Sequence, residues 1–295
     1  MDEREWLAQR FEEHRPRLRA VAYRMLGSLA EADDALQDAW IRLNRADADQ
    51  IENLGGWLTT VVGRVCLNAL RARRTHREDG FGVHLPDPVI IPEGDGGDLG
   101  PEQQALLADS VGLALLIVLD SLDPAERLAF VLHDLFDLPF DEIASMLSRS
   151  PAAARQLASR ARRRVRDAEV PGPGADRARQ RRVVDAFFAA ARDGDFEALV
   201  GLLHPDVVLN ADLGLSRPTT VIRGVDEVIK MARAPRGATV HPVLVNGTPG
   251  ALITLHGEPF SVLAFTIADG LIVEIDGIAD PPRVRRIAAS VLTGS

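Results

Sequence analysis

The tetrapeptide Pro171-Gly172-Pro173-Gly174 divides this 295-residue chain into two stretches with different hydrophobic periods. Upstream, apolar residues return every three or four positions, the period of an amphipathic helix. Downstream, β-branched and polar residues alternate, the period of a strand. Two prolines and two glycines together interrupt either pattern. The downstream part opens with one helix, RQRRVVDAFFAAARDG, and continues through DVVLNAD, TTVIRG, TVHPVLVNG, GALITLHG, FSVLAFTIADG and LIVEIDGIAD. Asn-Gly, His-Gly and Asp-Gly between these runs favour hairpin turns. The expected fold class is multidomain: an all-α part followed by an α+β domain with an antiparallel sheet.

The upstream helices can be placed from their apolar stripes and their breaks. Leu18, Val21, Ala22, Met25 and Leu26 recur at helical spacing before Gly27-Ser28. In AEADDALQDAWIRLNRA, Ala35, Ala39 and Leu43 share a stripe, and Asp33, Asp34, Gln37 and Asp38 lie off it. Asn53-Leu54-Gly55-Gly56 reads as a turn before the helix WLTTVVGRVCLNALRARR, whose basic end holds Arg71, Arg73, Arg74 and Arg77. GFGVHLPDPVIIPEGDGGDLGP, rich in proline and glycine, reads as an extended connector. Helical spacing resumes at Glu102. Asp123-Pro124-Ala125-Glu126 combines an acidic N-cap, proline at the first helical position and glutamate three residues on. That helix runs to about Phe136. A short one from Phe140 to Leu147 and a long one from Pro151 to Asp167 follow.

Charge is concentrated where the total would not suggest it. The net charge is −9, yet seven arginines lie between Arg149 and Arg166 with no acid among them. At about 100° per residue, Ala154, Leu157, Ala158, Ala161 and Val165 share one face. Arg155, Ser159, Arg162 and Arg166 lie opposite, with Gln156, Arg160 and Arg163 further round. Ser150 is the natural N-cap and Pro151 the first helical residue. The preceding helix buries Ile143, Ala144 and Leu147, and Ser148-Arg149 leaves room only for a tight turn. Such a pair is a helix-turn-helix, whose second helix enters the major groove with its N-terminal end while later arginines meet phosphates. A merely solvated helix face mixes signs, because Glu–Arg pairs four residues apart stabilise it. This run has no such pair, which favours DNA.

Other classes are disfavoured. Cys66 is the only cysteine, so an internal disulfide or a thiolate zinc cage cannot form, and its apolar surroundings read as those of a small buried thiol. The histidines are scattered without metal-ligand spacing, so neither a metal nor a cofactor is expected. No apolar run approaches the roughly 18 residues that span a bilayer, and MDEREWLAQRFEEHRPR lacks the apolar core of a signal peptide. The expected location is the cytoplasm, with no membrane partner.

At this level of detail two stretches resemble a known family. LDPAERLAFVLHDLFDLPFDEIASMLSRSPAAARQLASRARRRVRD resembles region 4 of bacterial extracytoplasmic-function (ECF) sigma factors. FEEHRPRLRAVAYRMLGSLAEADDALQDAWIRLNRA, with GGWLTTVVGRVCLNALRARRTHRED, resembles region 2. They stand in the expected order and cover nearly all of residues 6–168. The C-terminal part resembles the SnoaL-like fold, a cone-shaped relative of nuclear-transport-factor-2-like domains, and the whole arrangement is similar to the SigJ-like group of ECF sigma factors. The resemblance implies region 2 at 1–77, a linker at 78–101, region 4 at 102–169, a second linker at 170–178 and a SnoaL-like regulatory domain at 179–295.

It also implies roles. The chain would be an alternative sigma factor that binds core RNA polymerase and directs promoter-specific initiation, modulated in cis by its C-terminal domain. Asp33, Asp34, Gln37, Asp38 and Trp40 would dock on the clamp helices of the β′ subunit, with a further contact to the β flap. Arg64, Asn68, Arg71, Arg73 and Arg74 would hold the −10 element, where flipped bases need hydrogen-bonding groups and the displaced backbone needs cations. Trp57 matches a position expected in the core, with a stacking platform as the alternative. Ser150, Ala153, Arg155, Gln156, Ser159, Arg160 and Arg163 would read the −35 element. The linker would lie near the active-site cleft and RNA exit channel of the polymerase.

Three segments match family motifs with changes. His84-Leu85-Pro86-Asp87-Pro88 stands for Trp-Leu-Pro-Glu-Pro, Asp212-Leu213-Gly214-Leu215-Ser216 for Asp-Gly-Gly-Gly-Lys, and Asp280-Pro281-Pro282-Arg283-Val284 for Asn-Pro-Asp-Lys-Leu. The resemblance places regulatory contacts at His84, Leu85, Pro86, Asp212, Gly214, Asp280 and Pro281. The departures leave a different or a weaker contact open.

Proton-transfer chemistry needs a carboxylate or histidine paired with a donor in an apolar pocket. The C-terminal candidates are His204, Asp212, Asn246, His256 and Asp276. Asp212, Asp276 and Asn246 neighbour turn-forming residues and read as turn positions, so no catalysis is expected. A small ligand in this domain is left open, and the free protein is expected to be a monomer. The rival readings are a one-component helix-turn-helix regulator with a ligand-sensing C-terminal domain, which would not need residues 6–77, and an enzyme acting on a small hydrophobic substrate.

Overall fold

A computed structural model of the chain describes residues 3–46, 51–77, 85–93, 112–168, 176–214, 219–232 and 235–292. These form two compact units. The first holds the helices between Glu3 and Ala168, apart from residues 112–114. The second holds those three residues, the segment 85–93 and everything from Asp176 onward.

The first unit begins with α1 (Glu3–Leu26), α2 (Leu29–Leu43) and α3 (Leu54–Arg77), which pack pairwise. Leu18, Met25, Leu43, Leu58 and Leu67 are buried between them. The glycines read as a turn are instead the first turn of α3. Asn53 Oδ1 accepts the Gly56 N–H at 3.0 Å, and a Cβ on Gly55 would lie 3.0 Å from the His14 ring. Absence of a side chain there lets α3 start against α1.

Four further helices follow among the described residues: α4 (Leu113–Ser121), α5 (Pro124–Phe130), α6 (Phe140–Leu147) and α7 (Pro151–Asp167). One π-helical turn, Val131–Leu135, extends α5. Both expected caps are made: Asp123 Oδ1 accepts the Ala125 N–H at 3.0 Å and Ser150 Oγ the Ala153 N–H at 3.2 Å. Ser148 turns the chain between α6 and α7 at φ 53°, and the Arg149 N–H reaches back to the Ala144 carbonyl at 2.9 Å.

Within this unit α3 packs against α5 and α6. A Cβ on Gly63 would lie 3.3 Å from Met146 Sδ and 3.5 Å from Leu128 and Leu132. Glycine inside a helix is about 1 kcal/mol less favourable than alanine; close approach of α3 to α5 and α6 offsets it here. Beside that contact Arg127 of α5 is 1% exposed. Its Nε and Nη2 donate to the Arg24 carbonyl at 3.1 and 2.9 Å, and its Nη1 to Asp120 at 3.0 Å. Burial pulls its pKa down to about 10 against the opposing pull of Asp120. Burial likewise pushes the Cys66 thiol up to about 12, so it sits protonated in the core, as its apolar neighbours suggested.

The second unit is a seven-stranded sheet with order β1-β4-β5-β6-β7-β2-β3. The strands are β1 (Ile90–Pro92), β2 (Leu203–Asp212), β3 (Thr220–Arg223), β4 (Ala238–Val245), β5 (Thr248–Leu255), β6 (Glu258–Ala268) and β7 (Leu271–Ile278). Helices α8 (Arg177–Asp193), α9 (Phe196–Leu202) and α10 (Val225–Met231) bring Val184, Phe187, Leu199 and Val228 against Val207, Phe265, Ile272 and Ile275 of the sheet. The architecture is the expected α+β one, with one correction. β2 runs parallel to β7, with Asn210 opposite Asp276, so the sheet is mixed. The hairpin turns fix the direction of β4 to β7 only; β2 enters after α8 and α9 and no turn constrains it against the last strand. α11 (Pro281–Leu292) packs on β6 and β1 through buried Val284 and Ala288.

β1 lies in the middle of the segment read as a linker. It pairs antiparallel with β4, Ile90 opposite Val245 and Pro92 opposite Val243.

Candidate polymerase and promoter interfaces

On α2 the acids stand where the stripe predicted. Asp34, Gln37 and Asp38 are exposed, and Ala35 and Ala39 are buried. Asp33 is gripped by Arg19 of α1 in a bidentate pair, Nε donating to one carboxylate oxygen at 2.7 Å and Nη2 to the other at 2.8 Å. Trp40 packs against Phe11 with ring centroids 5.2 Å apart. Phe11, Glu12, Asp33, Asp34, Gln37 and Trp40 line a cavity of about 400 Å³ between α1 and α2. Four of the five residues assigned to core polymerase therefore surround one concavity with an aromatic wall and an acidic rim. Asp38 does not line it.

On α3, Arg64, Asn68 and Arg71 are exposed at helical spacing and form one stripe. Trp57 and Thr60 continue that stripe toward the start of the helix, and Trp57 is half-buried rather than in the core. Arg73 and Arg74 lie off the stripe. Arg73 pairs with Glu31 and donates to the Leu26 carbonyl at 3.0 Å. Arg74 pairs with Asp123, the cap of α5. Arg64 itself donates to the Ser145 carbonyl of α6 at 3.3 Å. In this arrangement three of the four arginines assigned to the −10 element are engaged inside the first unit.

On α7, Ala152, Arg155, Gln156, Ser159, Arg163 and Arg166 form an exposed stripe, and Ala154, Leu157, Ala158 and Ala161 are buried. Ala153 is half-buried, and Ser150 spends its hydroxyl as the cap. Arg155 lies over the Phe140 ring at 5.5 Å, and Phe140 stacks on His133 at 3.8 Å. The missing acids turn out to come from other helices. Arg162 pairs with Asp134 of the π turn, and Glu126 of α5 lies 3.4 Å from Arg164 and 3.9 Å from Arg160. Arg160 thus points to the flank of α7, away from the stripe it was assigned to. Absence of acids within one helix said nothing about acids packed beside it.

The three motif segments meet in the second unit. Asp212, fully buried at the end of β2, accepts the Leu85 N–H at 2.9 Å and the Gly214 N–H at 3.0 Å. Arg283 of α11 reaches Asp212 at 2.7 Å, Asp87 at 2.8 Å and the Leu85 carbonyl at 2.7 Å. Burial disfavours the charge on Arg283, but Asp87 and Asp212 outweigh it and raise its pKa. Asp280 caps α11 at 2.9 Å, directly beneath Gly214. His84, Leu215 and Ser216 lie outside the described residues. Leu85, Asp212, Gly214 and Asp280 are thus brought together, and Pro281 opens α11 beside them. Arg283 and Asp87, which the sequence analysis left without a role, supply the charge pair at the centre.

Further along the same segment, Asn246 Oδ1 accepts the Val89 N–H at 2.7 Å, its backbone N–H donates to the Val89 carbonyl, and Glu93 pairs with Arg181 of α8. Asn246 is the expected hairpin turn, at φ 48°, and a clamp as well.

Asp276 is not a turn residue. It lies within β7, 2% exposed, and shares the amide of Asn210 with Glu274, at 2.8 and 2.7 Å respectively. Burial, then the neighbouring charge of Glu274, push its pKa up to about 7. His204 takes the Asp206 N–H at 3.1 Å, and His256 sits exposed in its turn over Gly237.

Comparison with known proteins agrees with this division. Residues 10–76 match the model for Sigma-70 region 2, and residues 113–165 the model for Sigma-70, region 4. The ECF RNA polymerase sigma factor SigJ of Mycobacterium tuberculosis is 38% identical over 289 residues, 92% of this chain and 91% of its own. The probable ECF RNA polymerase sigma factor SigI of the same species is 33% identical over 291 residues, 94% of each chain. The crystal structure of M. tuberculosis SigJ superposes with a TM-score of 0.73 at 34% identity, covering 94% of this chain and 97% of that one. Two sigma-70 regions on the helical unit and full-length similarity through the sheet domain lead to one assignment: the chain belongs to the ECF RNA polymerase sigma factors.

Proposed function

We propose that this sigma factor brings core RNA polymerase to a set of promoters through three surfaces, and that its C-terminal domain modulates this by holding the segment between regions 2 and 4. The α2 concavity, with Asp33, Asp34, Gln37 and Trp40, takes the β′ clamp helices, and Asp38 lies at its margin. The α3 stripe of Arg64, Asn68 and Arg71 takes the melted −10 strand, where Trp57 offers a stacking face. The exposed stripe of α7 enters the major groove at −35.

The observation that carries the regulatory reading is the incorporation of Leu85–Glu93 into the C-terminal domain, by strand pairing and by the Arg283–Asp212–Asp87 cluster. A segment that threads the polymerase cleft has to leave β4 first, so polymerase and C-terminal domain compete for it. We assign the domain no reaction of its own. Both Asp212 oxygens are occupied by hydrogen bonds, and Asp276 is fixed within a strand by Asn210.

The test is run-off transcription of genomic DNA with core polymerase and the full-length protein, wild type and Arg283→Ala. Initiation at a defined promoter set supports the reading, and a change in initiation with the variant supports competition. No initiation at any promoter defeats the first part; equal initiation by both proteins defeats the second.

A further inference from the structure

We propose that Glu126 and Asp134 limit the sequence-independent affinity of region 4 for DNA: they hold Arg160, Arg164 and Arg162 in ion pairs and so keep them off the DNA backbone. The proposal rests on the reading that the exposed stripe of α7 faces duplex DNA.

Glu126 occupies the third position of α5, where a glutamate commonly folds back onto the N-cap backbone. Here it turns the other way. It is 6% exposed, and Arg160 and Arg164, one turn apart on α7, lie at 3.9 and 3.4 Å from its oxygens. Its Oε2 is buried with no hydrogen-bond partner among the described residues. A carboxylate in that position is stable only beside cations, and packing alone would be served as well by an apolar side chain. Asp134 does the same for Arg162 on the other flank. Of the other four arginines, Arg155 rests on Phe140, and Arg149, Arg163 and Arg166 have no ion-pair partner among the described residues.

The division has a consequence for recognition. Arginine–phosphate contacts add affinity without sequence information, and each contact steepens the salt dependence of binding by about 0.9 in log–log slope. Three arginines held by two acids leave a narrow contact face. Side chains that carry sequence, such as Gln156, then make up a larger share of that face. Backbone contacts are made to promoter and random sequence alike, so withdrawing three arginines weakens charge-driven binding to any duplex and reduces the salt dependence of that binding.

The experiment uses the full-length protein and a labelled mixed-sequence duplex, with binding followed by anisotropy across a salt series. Glu126→Gln is expected to bind more tightly and to steepen the slope by up to about 1.8, for two released arginines. Asp134→Asn is expected to steepen it by about 0.9, and it tests the idea alone if Glu126→Gln fails to fold by circular dichroism. Arg164→Ala is expected to leave the wild-type slope unchanged, and Arg163→Ala to reduce it by about 0.9. The proposal is overturned if neither acid variant gains affinity or slope, or if Arg164→Ala already reduces the slope. If Arg163→Ala and Arg166→Ala both leave the slope unchanged, the assignment of α7 to DNA is what fails, and the proposal goes with it.

Discussion

Arg283 and Asp212 meet at 2.7 Å with Asp212 wholly out of solvent, and the same guanidinium also holds Asp87 and the Leu85 carbonyl. One side chain therefore satisfies a buried carboxylate and ties down the segment between regions 2 and 4. Removing one partner of a buried pair is destabilising by about 3–5 kcal/mol. Arg283→Ala should lower the stability of the C-terminal domain by that order in urea unfolding, and limited proteolysis should cut within 85–93 sooner than in wild type. A melt and a cleavage rate equal to wild type would show that the cluster holds nothing.

Gly214 sits at φ 102°, and a Cβ there would lie 1.9 Å from Asp280 Oδ2. Gly214→Ala combines a strained backbone, about 1–3 kcal/mol, with displacement of the cap of α11. Asp280→Ala loses only the cap, about 0.5–2 kcal/mol. Thermal melts should rank wild type above Asp280→Ala, and Asp280→Ala above Gly214→Ala.

Asp276 makes stability depend on pH. Its pKa is raised to about 7 in the fold, against about 3.9 in an unfolded chain. Below about pH 4 both states are protonated and the group contributes nothing unfavourable. Between about 4 and 7 the unfolded chain releases the proton and the folded one keeps it, so stability falls as pH rises, by at most about 4 kcal/mol in all. Above 7 the loss is complete and constant. Asp276→Asn should flatten this part of the profile and exceed wild type in stability at pH 8 but not at pH 4, as read by denaturant midpoints.

The close approach at Gly63 should matter more to the packing of regions 2 and 4 than the exposed pair of Arg74 and Asp123. Surface pairs contribute about 0–1 kcal/mol, whereas a leucine forced against Met146, Leu128 and Leu132 overpacks the contact by about 1–3 kcal/mol. Gly63→Leu should increase the distance between fluorophores on regions 2 and 4, and Arg74→Ala should leave it nearly unchanged. The reverse ranking would make the ion pair the latch.

Local signals in the sequence carried most of the helical unit. Apolar spacing and the caps at Asp123 and Ser150 place α5 and α7, because both depend on residues within one or two turns. What stayed hidden depends on partners far along the chain. Glu126 meets Arg164 only after α5 packs on α7, so α7 alone looked uniformly cationic. Asp276-Gly277 reads as a turn by composition, yet Gly277 is needed within β7, where a Cβ would lie 3.1 Å from Leu263. The three segments that meet at Asp212 were legible as motifs, whereas Arg283 and Asp87 were not, since their pairing spans nearly 200 positions.

β1 is three residues long, and among the described residues it is the strand that pairs with the outer edge of β4. When residues 90–92 depart, the backbone groups of Val243 to Val245 that they satisfied face solvent beside an apolar strand. An uncovered rim of that kind is a template for a strand from another chain. Freeing the segment for polymerase therefore also creates an adhesive surface, and the released protein should be more prone to self-association than the resting one, a difference visible in sedimentation of Arg283→Ala against wild type.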